Sequence, residues 1–232
     1  MEVLFTYYEI LTLILALVWV FIYLREPELR RELLILGFLS VLVLPLAFTI
    51  DGPIDEVAQE FSRLTITDIV FSFVIGGIAG TIFHVIFGKH YHTLPKLKPK
   101  SGEPGANTAQ LWLMRLFIAV LLFLWGVVFL NAAFHMTIPA AVFVSAFVLG
   151  TYIVSHRHDL LFDAIWSGLL TSVIVFSSST IATVFTNVDL TIAPVSTGYV
   201  FLDVPVDLLL WSLALGFALG PIYEYARRLE LS

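Results

Sequence analysis

The stretch TITDIVFSFVIGGIAGTIFH, residues 65–84, has a counterpart in PVDLLLWSLALGFALGPIYE, residues 205–224. Laid over each other, the two stretches share identical residues at four positions: Ser72 and Ser212, Gly76 and Gly216, Gly80 and Gly220, Ile82 and Ile222. Aromatic residues coincide at two further positions: Phe71 and Trp211, Phe83 and Tyr223. The match predicts an internal repeat. Its glycines have the small-xxx-small spacing that lets membrane helices approach closely, and we interpret them as packing positions.

A second pair of stretches supports the repeat. RRELLILGFLS, residues 30–40, begins one apolar segment, and RHDLLFDAIWS, residues 157–167, begins another. Four residues recur in the same order: Arg30, Leu33, Leu34 and Ser40 as Arg157, Leu160, Leu161 and Ser167. The acidic Glu32 is answered by Asp159. Two matches in the same order favour duplication over chance, whereas one match between apolar segments would be weak evidence.

The composition predicts an integral membrane protein. Hydrophobic residues make up 59% of the 232 residues and charged residues 13%, whereas a soluble domain carries roughly 25% charged residues. Cysteine is absent, which excludes disulfides, thiolate metal sites and thiol nucleophiles. The opening MEVLFTYYEI has no basic stretch, so the first helix is expected to be a membrane segment rather than a cleaved signal. The net charge of -6 gives no reason to expect a nucleic-acid partner.

Seven segments are apolar and long enough to cross a bilayer as helices, which takes about 20 residues. They run approximately over Leu4–Leu24, Leu33–Ile50, Thr65–Phe87, Leu111–Phe134, Ile138–Ser155, Leu160–Ser178 and Val204–Ala226. The apolar residues after Ser178 are expected to extend the sixth helix outward before a loop that lies against the membrane surface.

The predicted fold class is an all-α integral membrane protein with two parallel three-helix repeats and one linker helix. The first repeat covers residues 1–88, and a hydrophilic linker rich in lysine, proline and glycine covers residues 89–110. The linker helix covers residues 111–135 and the second repeat residues 136–232. A single linker helix is required because three helices leave the chain on the opposite side of the membrane from where it began.

Lysine and arginine fall mainly in the breaks on one side of the predicted bundle. They are Arg25, Arg30, Arg31, Lys89, Lys96, Lys98, Lys100, Arg157, Arg227 and Arg228. The breaks on the other side contain Arg63. Because basic residues are retained on the cytoplasmic side, we expect the amino terminus outside and the carboxyl terminus in the cytoplasm of a multi-pass protein of the cell membrane.

Carboxylates near the outer ends of the predicted helices are the candidate catalytic groups: Asp207, Asp68 and Glu9. In a cavity between the repeats, such groups could hold a proton at neutral pH. The alternative is structural, because acids at a helix N-terminus cap the helix and face the headgroups. Asp207 lies inside an apolar run and is interpreted as catalytic, whereas Asp203, one helical turn earlier, is interpreted as a cap. Both interpretations stay open for Asp68 and Glu9.

Other polar residues lie near the ends of the predicted helices. Asn131 and His135 end the fourth segment on the outer side and are candidates for binding a substrate or passing a proton. Glu224, matched by His84 in the first repeat, lies with Asp163 near the cytoplasmic end. These three residues predict either a second polar layer or ordinary residues of the membrane interface.

No metal site is predicted. The loop histidines His90, His92, His156 and His158 face the same predicted surface. However, alternate spacing in an irregular loop fixes no coordination geometry, and no carboxylate pair completes a ligand pattern.

The segment VPVDLLLW, residues 204–211, resembles the membrane-integral lycopene cyclase family, in which each three-helix unit carries a Pro-x-Glu-Glu-x-x-Phe-like motif at the start of a helix. Pro205 matches the proline of this motif, Asp207 its first acid and Trp211 its aromatic position. The sequence departs from the motif at Leu208, which replaces the second acid, and the first unit has no proline before Asp68. The chain thus resembles a divergent fused member of the family along nearly its whole length.

The resemblance implies an intramolecular lyase or isomerase type of reaction without a cofactor. One acid would protonate the terminal double bond of an acyclic carotenoid, a carbocation would close the ring, and a base would remove a proton. Pro205, Trp211 and Phe71 would then contact the substrate, because aromatic faces stabilise a carbocation.

Three functions follow from these observations. The first is an enzyme that modifies a hydrophobic isoprenoid or lipid substrate within the membrane lipids. The second is a small-solute transporter of the same three-one-three design, and the third is a non-catalytic lipid-binding or isoprenoid-binding membrane protein. Whether the chain forms a homo-oligomer stays open.

Overall fold

The computed structural model describes residues 2–49, 65–88, 91–93, 108–186, 199–202, 204–227 and 229–231. The helices in these ranges are α1 (Glu2–Arg25), α2 (Arg30–Thr49), α3 (Ile66–Phe87), α4 (Thr108–Phe134), α5 (Ile138–His156), α6 (Leu161–Thr186), α7 (Val206–Leu219) and α8 (Ile222–Arg227). Short 3-10 turns precede α2 and α6, at Pro27–Leu29 and His158–Leu160. The predicted all-α class is confirmed.

Two short antiparallel ribbons accompany the helices. The strand β1 (Tyr91–Thr93) pairs with β4 (Leu229–Leu231), and β2 (Val200–Phe201) pairs with β3 (Val204–Pro205). The second ribbon leads directly into α7, so it fixes where that helix begins.

Five helical spans in the described ranges are long and apolar enough to cross a membrane. They are Tyr7–Arg25, Ile66–Phe87, Leu111–Phe134, His158–Thr186 and Val206–Arg227. They coincide with the first, third, fourth, sixth and seventh predicted segments. The fifth predicted segment corresponds to a shorter apolar helix, Ala140–His156. The second corresponds to α2, which begins with three charged residues and is not among the five. The chain is therefore an all-helical membrane protein.

The helices differ sharply in how much of their surface faces the protein interior. In α3, 72% of the residues of the spanning segment are buried, against 11% in α4. The helix α3 contacts α1, α2, α6 and α7, and so occupies the centre of the bundle. The helix α4 packs mainly on α5 and α8, and its exposed large side chains, such as Phe117 and Trp125, form a surface suited to lipid.

Glycines make the closest helix contacts, as the sequence predicted. A β-carbon on Gly76 would lie 1.7 Å from Ser40 Oγ of α2, and one on Gly80 would lie 1.9 Å from Leu36 Cδ1. In the second half, a β-carbon on Gly220 would lie 2.5 Å from Ser167 Cβ of α6. The packing interpretation of these glycines is confirmed. A β-carbon at any of these positions would collide with the neighbouring helix, so the close approach of α2 to α3 and of α6 to α7 depends on glycine there.

The last predicted helix is interrupted. The sequence predicts one segment from Val204 to Ala226, whereas α7 ends at Leu219 and α8 begins at Ile222. Pro221 has no N–H and cannot donate a hydrogen bond to the preceding turn, so the ladder of helical hydrogen bonds is broken there. The helical path resumes at once, since Tyr225 N donates to Pro221 O at 3.0 Å.

The start of α7 also differs from the prediction. The sequence predicts a helical segment from Val204, but the backbone at Val204 and Pro205 is a strand and the helix begins at Val206. Asp203 itself lies outside the described residues. The predicted extension of the sixth helix beyond Ser178 is confirmed, because α6 continues to Thr186. The loop expected to follow it, residues 187–198, lies outside the described residues.

Candidate functional site

Asp68 caps the N-terminus of α3. The backbone N–H of Thr65 donates to Asp68 Oδ2 at 2.9 Å, and the Thr65 hydroxyl donates to the same oxygen at 2.7 Å. In return, the backbone N–H of Asp68 donates to Thr65 Oγ1 at 3.3 Å, which completes a capping box. The structural interpretation of Asp68 is confirmed, and its catalytic role stays a prediction that must be compatible with this cap.

Removing the cap should lower stability by a modest, defined amount. Replacing Thr65 by alanine removes the acceptor for Asp68 N–H, and the free energy of unfolding should fall by about 1 kcal/mol. Denaturant titration of the detergent-solubilised protein measures this change. Thr67→Ala, two residues later in the first turn, is the matched control. Equal effects of the two substitutions would show that the cap does not stabilise α3.

A buried aromatic pair lies between α3 and α7. The rings of Phe71 and Trp211 are stacked, with centroids 6.3 Å apart and planes inclined by 20°. The two side chains are 6% and 9% exposed. Asp68 precedes Phe71 by three residues and Asp207 precedes Trp211 by four, so each carboxylate shares a helix face with one ring. The two predicted acids therefore begin two contacting helices, one turn before the aromatic pair along each chain segment.

Asp207 and Pro205 lie at the entrance to α7. Pro205 is the N-cap residue, and its backbone pairs with Val200 in the short ribbon. Asp207 is half-buried in the first helical turn. The ribbon holds the start of α7, since Val206 N also donates to Tyr199 O at 3.1 Å. It also contacts α6, because the ring centroids of Phe201 and Phe176 lie 5.9 Å apart.

Two tyrosines of α1 lie at the same end of the bundle as Asp68 and Asp207. The hydroxyl of Tyr7 shares a 2.6 Å hydrogen bond with Ser179 Oγ of α6, in the buried interior. Tyr8 lies close enough to Asp68 to interact with it electrostatically. Glu9, the third predicted catalytic acid, is exposed. Sequence spacing could not distinguish these three neighbours, and the structure turns the two tyrosines rather than the glutamate towards the core.

Asn131 and His135 lie at the end of α4. Asn131 Nδ2 donates to Met136 O at 2.8 Å, and this bond links the last turn of α4 to the residues that follow the helix. His135 is exposed and has a left-handed backbone with φ of 53°. Because α4 packs mainly on α5 and α8, whereas the two acids begin α3 and α7, the structure does not gather all the predicted site residues at one point.

An apolar cleft lies between the two halves of the chain. Its volume is about 40 Å³, and it lies between α2, α4, α5 and α7. Its lining is almost entirely aliphatic and aromatic, with Ser40 as a polar member. This volume is far below the roughly 300 to 1,000 Å³ of ordinary ligand pockets, so the cleft as it stands is too small for a long hydrocarbon chain.

A second cluster of ionisable groups lies at the other end of α3. His84 Nε2 and Glu224 Oε1 are 2.6 Å apart, and both side chains are buried. Glu32 and Asp163 are buried beside them, and the Ser167 hydroxyl donates to Asp163 Oδ1 at 3.0 Å. The sequence predicted either a polar layer or residues of the membrane interface. Because these groups are enclosed by protein, their burial favours the polar layer.

Similarity to known proteins assigns neither cluster. No protein-family model, curated protein or solved structure matches the chain. The resemblance of residues 204–211 to lycopene cyclases therefore rests on the motif alone, and function has to be argued from the sites.

Sequence reasoning missed Glu32 as a member of the cluster around His84 and Glu224. It is the third residue of α2, directly after Arg30 and Arg31, where an acid usually balances charge at a helix start. The contact between His84 and Glu224 did have a signal in the sequence. The two residues occupy matched positions of the two stretches, and matched residues that differ in charge are candidates for a contact.

Proposed function

We propose that this protein is a membrane-embedded enzyme that modifies a carotenoid or related isoprenoid by acid–base chemistry at the outer end of α3 and α7. The observation that carries the proposal is the buried stack of Phe71 on Trp211, with Asp68 and Asp207 one turn earlier in each helix. An apolar substrate that enters from the lipid would meet aromatic faces and carboxyl groups in one place.

The reaction is a ring closure without redox change. One of the two carboxyl groups donates a proton to the terminal carbon–carbon double bond and leaves a carbocation. A second double bond of the substrate supplies an electron pair that closes the ring and moves the positive charge. The other carboxylate then removes a proton to restore a double bond, so the product is an isomer of the substrate.

The surroundings suit such an intermediate. A carbocation survives where water is excluded and aromatic faces supply electron density. Phe71 and Trp211 are buried, and the side chains around the apolar cleft between the halves offer almost no polar groups. These features favour an isoprenoid over a small polar solute, which would need polar groups along its path.

The two-repeat architecture belongs to the same proposal. His84 and Glu224, 140 residues apart, contact each other, and Phe71 and Trp211, with the same separation, also contact each other. In a twofold arrangement, a residue touches its own equivalent only near the axis. The two contacts therefore support a pseudo-twofold axis between α3 and α7, with two parallel repeats joined through the linker helix α4. The orientation proposed with it, with the amino terminus outside, rests on the distribution of lysine and arginine.

The packing of the neighbouring helices supports the same symmetry. In the first half Ser40 of α2 lies against Gly76, and in the second half its match Ser167 of α6 lies against Gly216 and Gly220. The pairs α2 with α3 and α6 with α7 are thus packed by equivalent residues.

The test is carotenoid analysis of lycopene-producing cells that express the protein. The unsubstituted chain should yield cyclic carotenoids, separated by chromatography and identified by mass spectrometry. Asp207→Asn should lower product by about 100-fold or more, because removal of a general acid or base costs that much. Asp159→Asn, an exposed acid at the other end of the bundle, is the matched control and should leave the product level unchanged.

Protein that is well expressed but leaves lycopene unchanged would overturn the proposal for this substrate. An unaltered isoprenoid that copurifies with the protein would favour the binding function instead. Equal product from the native chain and from Asp207→Asn would remove Asp207 from the reaction.

A further inference from the structure

Four ionisable side chains meet at the end of the bundle away from Asp68 and Asp207. Glu32 and Asp163 lie in the first turns of α2 and α6, His84 lies in the last turn of α3, and Glu224 lies in α8. Because α2 and α6 begin at the end of the bundle where α3 and α8 finish, four helices bring these groups together. Their exposed fractions are 1%, 0%, 3% and 0% in the order named.

Three of these side chains have the spacing of metal ligands. One ligand atom each from Glu32, His84 and Glu224 lies within 4.8 Å of the other two. Ligands bound at about 2.1 Å around one tetrahedral ion lie roughly 3.4 Å from one another, so small side-chain rotations would close this triangle around an ion.

Two buried oxygens of the cluster lack a hydrogen-bond donor within the described ranges: Glu224 Oε2 and Asp163 Oδ2. Burying a carboxylate oxygen without a partner is costly, and native proteins satisfy nearly all such atoms. The nearest arginine along α8, Arg227, donates instead to Tyr223 Oη at 2.6 Å. The unsatisfied oxygens therefore point to a ligand that supplies positive charge.

Charge balance indicates what that ligand is. With all three acids ionised, three carboxylates and a neutral imidazole carry a charge of -3, which one divalent cation lowers to -1. Without the cation, three carboxylates around a protonated imidazole carry -2, which is more unfavourable in a low-dielectric interior. Imidazole favours a first-row transition metal over Mg²⁺ or Ca²⁺, which prefer oxygen ligands alone.

We propose that Glu32, His84 and Glu224 bind one divalent transition-metal ion. Asp163 lies beside the three ligands, and Ser167 holds one of its oxygens. The ion joins α2, α3 and α8, and so fastens the first half of the chain to the second. This site is separate from the proposed acid–base site, and either can fail without the other.

The test measures metal binding by the full chain in detergent. The protein is stripped with a chelator, and Zn²⁺ and Mn²⁺ are then added, with Co²⁺ as an optical probe of nitrogen and oxygen ligands. About one ion per chain should bind, and the thermal midpoint should rise with metal concentration. Glu224→Gln and Glu32→Gln should bind at least about tenfold more weakly, a loss seen even for groups that only orient metal ligands. Asp159→Asn should bind as the native chain does.

The glutamine variants are expected to fold, because each removes a buried charge and keeps the shape of the side chain. Their thermal midpoints should rise only at metal concentrations at least about tenfold higher than those that stabilise the native chain. Absence of stoichiometric binding by the native chain would overturn the proposal. Equal affinity in both glutamine variants and the native chain would also overturn it, and the cluster would then be a polar network only.

Discussion

Gly216→Ala is expected to destabilise the folded protein strongly, by about 3 kcal/mol or more. A β-carbon there would lie 2.5 Å from Ser167 O and 2.8 Å from Gly168 Cα, both of them backbone atoms. No side-chain rotation can relieve these contacts, so α7 would have to move away from α6. Overpacking of a well-packed core costs about 1 to 3 kcal/mol and sometimes more. With backbone on both sides of the contact, we expect the upper end of that range or beyond, a large part of the usual total stability.

The measurement is the free energy of unfolding in mixed micelles, together with the yield of monodisperse protein. Gly126→Ala is the matched control, because its β-carbon would meet Ser145 Oγ at 2.9 Å, and a hydroxyl can rotate away. The control should lose less than about 1 kcal/mol. Similar losses in the two variants would contradict the close approach of α6 and α7.

His84→Leu is expected to have the second largest effect. It leaves Glu224 fully buried and removes the imidazole that lies 2.6 Å from its carboxylate. Breaking a buried ion pair or charge-assisted hydrogen bond by removing one partner costs about 3 to 5 kcal/mol. The effect is expected in chelator-treated protein, so it does not depend on a bound metal.

A double substitution distinguishes the interaction between the two side chains from the volume that they fill. His84→Leu combined with Glu224→Leu removes both polar partners and should recover most of the loss, because apolar residues of similar volume often replace a buried pair without cost. Unfolding free energies of the native chain, both single variants and the double variant give the coupling between the two positions. A purely additive result would mean that the two side chains do not stabilise each other.

Hydropathy alone predicted the helical class and most spans, because an apolar run of membrane length has few other structures available to it. It failed where a single residue decides the backbone. Pro221 interrupts the last helix through a missing N–H, and the ribbon at Pro205 delays the start of α7. Both changes occur inside apolar sequence, where hydropathy carries no signal.

The faces of the helices could not be predicted in the same way. In a membrane helix the lipid-facing and protein-facing sides are both apolar, so the periodicity that reveals a core in soluble proteins is lost. For this reason the sequence did not predict that Glu9 is exposed while Tyr7 is buried. It also did not predict that Glu32 belongs to the cluster around His84 and Glu224. The alignment of the two stretches did better, since it placed Phe71 opposite Trp211, and these rings stack.

The contact between His84 and Glu224 has a consequence for ancestry under the two-repeat proposal. In a dimer of identical single repeats, a residue on the axis must face a copy of itself, so histidine would face histidine or glutamate would face glutamate. Two glutamates at this distance would repel each other. A base opposite an acid became available only after the repeat was duplicated and the two copies could diverge separately. The pair of His84 and Glu224 would therefore date from after the duplication, whereas the glycine contacts could be inherited from the dimer.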